Sequence, residues 1–267
     1  MLTLYHYDTA VCAAKVRVTL AEKAIPFEGK IIDLQRGDQF APEYRQLNPS
    51  AAVPVIVHDG RTLTESTVIN EYLDEIFDGP ALRPADAFGK ARVRLWTKRE
   101  DSIHDVINTM TVAIVFRADL LAKPEAERAK RYEGIPDPVK RAKWRELMEV
   151  GLDAPVVTEG LARFNKLFKD MEKALEPGPW LTGAAFTLAD IGFISFFARM
   201  EAMEAAGIWK NHYPRVADWF ERCKARPSYK TAIADWIPAA RAEHFTRVSK
   251  PLREKVEATF VAAMAIV

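Results

Sequence analysis

Two hydrophobic periods alternate over the first 78 residues. Leu2, Leu4 and His6 alternate with Thr3, Tyr5 and Tyr7, the two-residue period of a strand. Over 13–24, Val16, Leu20 and Ala24 recur every fourth residue, on one face of a helix that Pro26 closes. FEGKIIDL at 27–34 reads as a second strand. After an irregular segment, VPVIVHDG at 53–60 is a β-rich run ended by the Asp59-Gly60 hairpin signal, and 61–63 is its return. Val68, Ile69, Tyr72, Leu73 and Ile76 then form a helical stripe within 65–77. The order β-α-β, a gap, then β-β-α predicts an α/β layer domain over 1–78.

Strand signals nearly vanish from Asp78 onward. The Pro- and Gly-rich segment 79–86 reads as a linker, and 87–267 as an all-helical domain with a C-terminal extension. Trp96, Ile103, Ile107, Met110 and Ile114 mark a long amphipathic helix. A polar, Pro-bearing stretch at 123–138 interrupts, and further helices are expected over about 140–175, 188–206, 214–225, 228–236 and 239–265. Thr187-Leu-Ala-Asp190, ahead of IGFISFF, has the form of an N-terminal capping box with Asp in place of Glu.

Composition narrows the function classes. The 267 residues are 49% hydrophobic and 28% charged, which is the balance of a folded domain and not of a disordered chain. With 38 Lys and Arg against 37 Asp and Glu, the net charge is +1, so a dedicated nucleic-acid binder is not expected. The most basic stretch, 117–145, interleaves nine Lys/Arg with five Asp/Glu and reads as a solvated helix face. Cys12 and Cys223 are too few for a disulfide framework or a structural zinc site. No apolar run approaches ~18 residues, and the start MLTLYHYDTA lacks the features of a signal peptide, so a reducing cytoplasm and no membrane are expected. Nucleotide-binding loops, the Gly-x-Ser-x-Gly elbow and His-Glu-x-x-His are absent. Glu100, Asp101, His104 and Asp105 share a helix face at metal-ligand spacing, but read as surface ion pairs, so no metal is expected.

Two features of the first domain suit a ligand. Pro54 interrupts a β-type run, so it lies at a sheet edge or holds an unusual turn; a cis bond there would turn the backbone N–H and C=O of Val53 outward. Eleven residues later Glu65-Ser66 opens a helix. A hydroxyl and backbone N–H groups at a helix start hold an anion, and the neighbouring carboxylate holds an ammonium. Plain N-capping is the alternative reading of this pair.

The β-α-β-β-β-α order, NPSAAVPVIVHDG at 48–60, TESTVINEYL at 64–73 and FTLADI at 186–191 together resemble the cytosolic glutathione transferases. The likeness spans about residues 1–235. It implies a thioredoxin-like N-terminal domain followed by a C-terminal helical bundle, with glutathione as co-substrate. It further implies that Pro54 is cis, that Val53 pairs with the cysteinyl backbone of glutathione, and that Glu65 and Ser66 take its γ-glutamyl end. Gln39, in RGDQFAPEY, falls where related proteins reach the glycine carboxylate. Residues 82–101 with 58–73 are similar to the bacterial β-aryl-etherase branch, whose members use glutathione to cleave aryl ethers in lignin-derived dimers.

The thiolate-stabilising group is left open among several candidates. Relatives use Tyr, Ser or Cys beside the first strand–helix turn, here YDTAVCAAK at 7–15, where Ala10 takes the place of the Ser or Cys of some classes. Thr9 has a hydroxyl to donate, Cys12 has a thiol for exchange, Tyr5 and Tyr7 have phenols, and the helix start has N–H groups and a dipole. Thr9 assisted by those amides is favoured. A crevice lined by Tyr7 and its turn, with Met110, Ile114 and Phe116, is expected to hold a flat aromatic substrate. Family members dimerise through the first domain and the long helix, so a homodimer or a heterodimer with a related chain is expected. Two other readings compete with a transferase: a Cys12-dependent thiol reductase, and a non-catalytic ligand-binding module.

Overall fold

A computed structural model describes residues 1–133 and 137–266. Residues 134–136, inside the expected Pro-bearing interruption, and 267 lie outside the described residues. The first part runs β1 (Leu2–His6), α1 (Val11–Glu22), β2 (Glu28–Ile31), α2 (Pro42–Leu47), β3 (Val55–His58), β4 (Arg61–Leu63) and α3 (Ser66–Ile76). The sheet order is β2-β1-β3-β4, with β1 parallel to β2 and antiparallel to β3, and β3 antiparallel to β4. This is the thioredoxin-like arrangement. The helix α2 is an addition to the sequence reading: its six residues are too short to display a period, and Pro42 opens it.

The remainder is helical: α4 (Ala87–Thr111), a π-helical turn (Val112–Phe116), α5 (Arg117–Leu121), α6 (Glu125–Glu133), α7 (Pro138–Val150), α8 (Pro155–Ala174), α9 (Leu188–Ala202), α10 (Gly207–Lys210), α11 (Pro214–Lys224), α12 (Pro227–Ala232), α13 (Ala239–Ser249) and α14 (Arg253–Met264). No helix among the described residues is long and apolar enough to cross a membrane.

The chain divides into two compact units that are not contiguous in sequence. One comprises Met1–Asp101, Pro177–Ala198 and Trp219–Pro238; the other comprises Ser102–Glu176, Arg199–Asp218 and the chain from Ala239 onward. In the first unit Leu2, Leu4 and Ile56 of the sheet pack with Val16, Leu20, Ile69 and Leu73 of α1 and α3. The strand alternation is realised, with Leu2, Leu4 and His6 buried and Thr3 and Tyr5 partly exposed. Helix α1 departs from the expected one-faced stripe, because every residue from Ala13 to Leu20 is buried, Lys15, Arg17 and Thr19 included. The sheet and α3 cover one side, and α12 packs on another. Polar residues on that side therefore need partners inside the protein.

Asp190 organises the entry to α9. Its carboxylate accepts from the Thr187 N–H (2.9 Å), the Leu181 N–H (3.0 Å) and Trp219 Nε1 (2.9 Å), while Thr187 Oγ1 accepts from the Ala189 N–H (3.3 Å). The expected capping box is present, and its Asp does more than cap. The segment 79–86 is tied back to α3 through Asp74, which accepts from the Leu82 N–H (2.9 Å), Arg83 Nε (2.8 Å) and Lys23 Nζ (3.3 Å). In the second unit the tail is part of the core. Val256, Phe260 and Ala263 of α14 are buried, and the Phe260 ring lies 6.0 Å from Phe168 of α8 and 5.7 Å from His212.

The proposed surface cluster at 100–105 is corrected by burial. Glu100 is fully shielded and pairs with Lys15, whereas Asp101 accepts from Thr67 Oγ1 (3.1 Å) and Asp105 binds Arg163 (2.8 Å). Glu100, Asp101 and Asp105 therefore face different partners, and of these three only Asp101 and Asp105 are exposed. Among the described residues no group of His, Cys, Asp and Glu is arranged to hold a metal ion.

Candidate active site

Three chain segments of the first unit carry the candidate residues. The first is the turn between β1 and α1. Tyr7 is buried, Thr9 lies in the turn and donates its N–H to Asp8 Oδ1 (2.6 Å), and the Ala10 N–H donates to the Tyr7 carbonyl (3.3 Å). Ala10 is the N-cap of α1 and offers no side chain to the helix start, so the first-turn N–H groups look to other acceptors. Cys12 follows in that turn, half-buried. Burial pushes its thiol up; the Lys15 charge and a hydrogen bond with Ser66 pull the other way and do not win.

The second segment presents Val53. Asn48 and Tyr44 fix it from below: Tyr44 Oη (2.6 Å) and Asn48 Nδ2 (2.9 Å) both donate to the carbonyl of Ala52, and the Ser50 N–H donates to Asn48 Oδ1 (3.0 Å). The Val53–Pro54 peptide is cis, as the resemblance implied. Neither anchor was singled out in the sequence, although the Asn-Pro-Ser turn at 48–50 was the visible signal.

The third segment is the start of α3. Glu65 is its N-cap with φ of 66°, a conformation that non-glycine residues rarely hold. Backbone kept there costs about 1–3 kcal/mol, so it persists only because the surrounding structure over-determines it. Glu65 is exposed, while Ser66 is buried and hydrogen-bonds the Cys12 sulfur, so the starts of α1 and α3 meet. Gln39 sits apart from this junction in a short 3₁₀ turn; its Nε2 donates to the Leu34 carbonyl at 3.4 Å, and its Oε1 is buried without a hydrogen-bond partner.

The charges beneath α1 were not foreseen. Lys15 Nζ lies 2.6 Å from Glu100 Oε1, and also 5.5 Å from the Phe196 ring. Burial works against the Lys15 charge, and the Cys12 sulfur and Glu100 outweigh it, so the ammonium stays protonated. In the second unit, Met110 and Ile114 are 0% and 1% exposed and pack as core; Phe116 is half-buried and stacks on Trp144 at 6.5 Å.

A cis-proline loop, a Glu-Ser helix start with positive φ and a strand–helix turn lie on one thioredoxin-like sheet. Comparisons with known proteins give the family. The glutathione S-transferase N-terminal domain matches residues 11–76, and the C-terminal domain of the same family matches 154–222. The chain belongs to the glutathione S-transferase family. It is 30% identical over 240 residues to Protein LigF of Sphingobium sp. (strain NBRC 103272 / SYK-6), covering 86% of this chain and 91% of the relative. It is 28% identical over 238 residues to the tetrachloro-p-hydroquinone reductive dehalogenase of Sphingobium chlorophenolicum, covering 86% and 95%. The crystal structure of beta-etherase LigF superposes with a TM-score of 0.75 at 28% identity, covering 86% of this chain and 98% of that one. Glutathione transferase F7 of Populus trichocarpa shares the fold with a TM-score of 0.71 at 24% identity. These relatives support glutathione transferase activity for this chain.

Proposed function

We propose that the chain attacks an electrophilic aromatic substrate with the thiolate of glutathione, and that the substrate is a β-aryl ether of the kind found in lignin-derived dimers. The sulfur gives up its proton to solvent, forms a carbon–sulfur bond and displaces the aryl oxygen. The phenolate leaves with the bonding pair and is protonated by solvent, so no external oxidant or reductant is needed. Thr9 Oγ1 donates to the thiolate, assisted by the N–H groups and dipole at the start of α1. Val53 pairs through its backbone with the cysteinyl residue, Glu65 holds the α-ammonium and Ser66 the α-carboxylate. Gln39 reaches the glycine carboxylate by rotating its amide away from Leu34. Tyr7 borders the aromatic ring.

The likeness to LigF over most of both chains carries the substrate assignment. Membership of the glutathione S-transferase family supports the glutathione assignment. The raised Cys12 thiol favours a transferase over a Cys12-dependent reductase, because thiolate and not thiol attacks a disulfide. Incubating the protein with glutathione and a β-aryl ether dimer is the test. Equimolar phenol and glutathione thioether are expected; binding of glutathione without either product would favour the non-catalytic reading. The protein is expected to work as a cytoplasmic dimer, with itself or a related chain.

A further inference from the structure

Helix α1 carries a second buried cation, Arg17, with an exposure of 2%. Its guanidinium makes four hydrogen bonds, to the carbonyls of Ala232 (2.9 Å), Tyr7 (3.2 Å) and Asp8 (2.8 Å) and to His6 Nδ1 (3.2 Å). Trp236 lies over the guanidinium at 4.6 Å and meets the His6 ring edge-on at 4.8 Å. All four acceptors are neutral. The carboxylate that acts on Arg17 is that of Asp8, which accepts from the Thr9 N–H (2.6 Å). Lys15, half a turn earlier, is neutralised by Glu100. Of the two cations inside α1, Arg17 is therefore the one whose charge is not spent on a direct ion pair.

Its position links that charge to the chemistry. Two of the four acceptors are the carbonyls of residues 7 and 8, the peptide planes from which Thr9 projects. A fork of donors fixes those planes, and a cation in low-dielectric surroundings acts over longer distances than one in water. Trp236 keeps water from the guanidinium face. Charged groups on the other elements around it do not cancel it: His6 on β1 is held neutral, its ring pulled down to about 4 by burial and by Arg17, and on the segment of Trp236, Lys230 and Asp235 pair with each other at 2.8 Å.

We propose that Arg17 is a positioning residue whose buried charge, acting from beneath the turn through the Tyr7 and Asp8 carbonyls, holds the glutathione sulfur as thiolate at Thr9. The proposal rests on the transferase reading above. The proton leaves the sulfur for solvent and no electrons move.

The test is the ionisation midpoint of glutathione bound to the intact protein, followed by the ultraviolet absorbance of its thiolate, in wild type, Arg17→Met, Arg17→Lys and Trp236→Leu. Arg17→Met is expected to raise the midpoint by about one pH unit, a tenfold loss of thiolate near neutrality. Arg17→Lys should recover part of it, and Trp236→Leu, which wets the guanidinium without touching the turn, should show a smaller rise. Unchanged midpoints in Arg17→Met and Trp236→Leu would overturn the proposal, as would Arg17→Lys behaving no better than Arg17→Met. If Arg17→Met does not fold, Trp236→Leu decides. A wild type that leaves the glutathione thiol where it stands in free solution would instead refute the transferase reading itself.

Discussion

Lys15 Nζ and Glu100 Oε1 lie 2.6 Å apart with side-chain exposures of 1% and 0%, joining α1 to the middle of α4 inside the first unit. A pair so deeply shielded keeps both helices in register, and removing one member strands the other. Lys15→Met is expected to destabilise the fold by about 3–5 kcal/mol, and Lys15→Met/Glu100→Leu to recover much of that loss. Chemical denaturation of the two variants checks this; a double variant worse than the single one would show that the pair is a net source of stability.

The buried His6 gives acid sensitivity with a defined sign. Its folded value is about 4, pulled down by burial and then by Arg17, against about 6.5 in an unfolded chain. The unfolded state therefore binds the proton more tightly. This contribution is complete above about pH 6.5 and is lost as pH falls through 4, a range on the order of 3 kcal/mol. Asp190 runs the other way: burial pushes it up to about 6, so its contribution is complete below about pH 4 and fades as pH rises through 6. Comparing urea midpoints of wild type and His6→Gln across this interval isolates the histidine, and the variant should show the weaker decline on acidification. Parallel curves would refute the assignment.

On the proposed function, Glu65 sets stability against binding. Its φ of 66° suits glycine, so Glu65→Gly should relieve strain and stabilise the fold by up to about 1 kcal/mol. The same change removes the ammonium partner and should weaken glutathione by roughly 1.5–3 kcal/mol. Thermal melts and calorimetry should move in opposite directions. A variant that binds glutathione as tightly as wild type would remove Glu65 from the site.

The C-terminal helix is a structural requirement of its unit. Phe260 is fully buried against Phe168 and His212. Phe260→Ala should cost about 3–5 kcal/mol. A loss under about 1 kcal/mol in denaturant titration would show that α14 is a loosely attached tail.

What the sequence made legible depended on how local the determinants are. The β1 alternation, the Asp59-Gly60 hairpin and the Thr187–Asp190 cap are set by neighbours within a few residues, and all three are present. Glu65-Ser66 and Pro54 were visible because their chemistry is unusual at a helix start or within a strand. Lys15, Arg17 and Glu100 were not, because a charged residue on a helix reads as solvent-facing until its partners are known, and these partners lie as far away as residue 232. Helix α2 was missed for want of length, and the anchoring of Ala52 by Tyr44 for want of any periodic signal.

On the proposed function, the turn at 7–10, through Thr9 and not Cys12, keeps the glutathione sulfur ionised. The most direct measurement of this is the pH–rate profile of wild type, Thr9→Val and Cys12→Ala with one aryl ether substrate. Thr9→Val is expected to lose about tenfold at neutral pH, equivalent to ~1.4 kcal/mol, and to regain part of the rate as pH rises, while Cys12→Ala follows wild type. An inactive Cys12→Ala beside an unaffected Thr9→Val would contradict this reading.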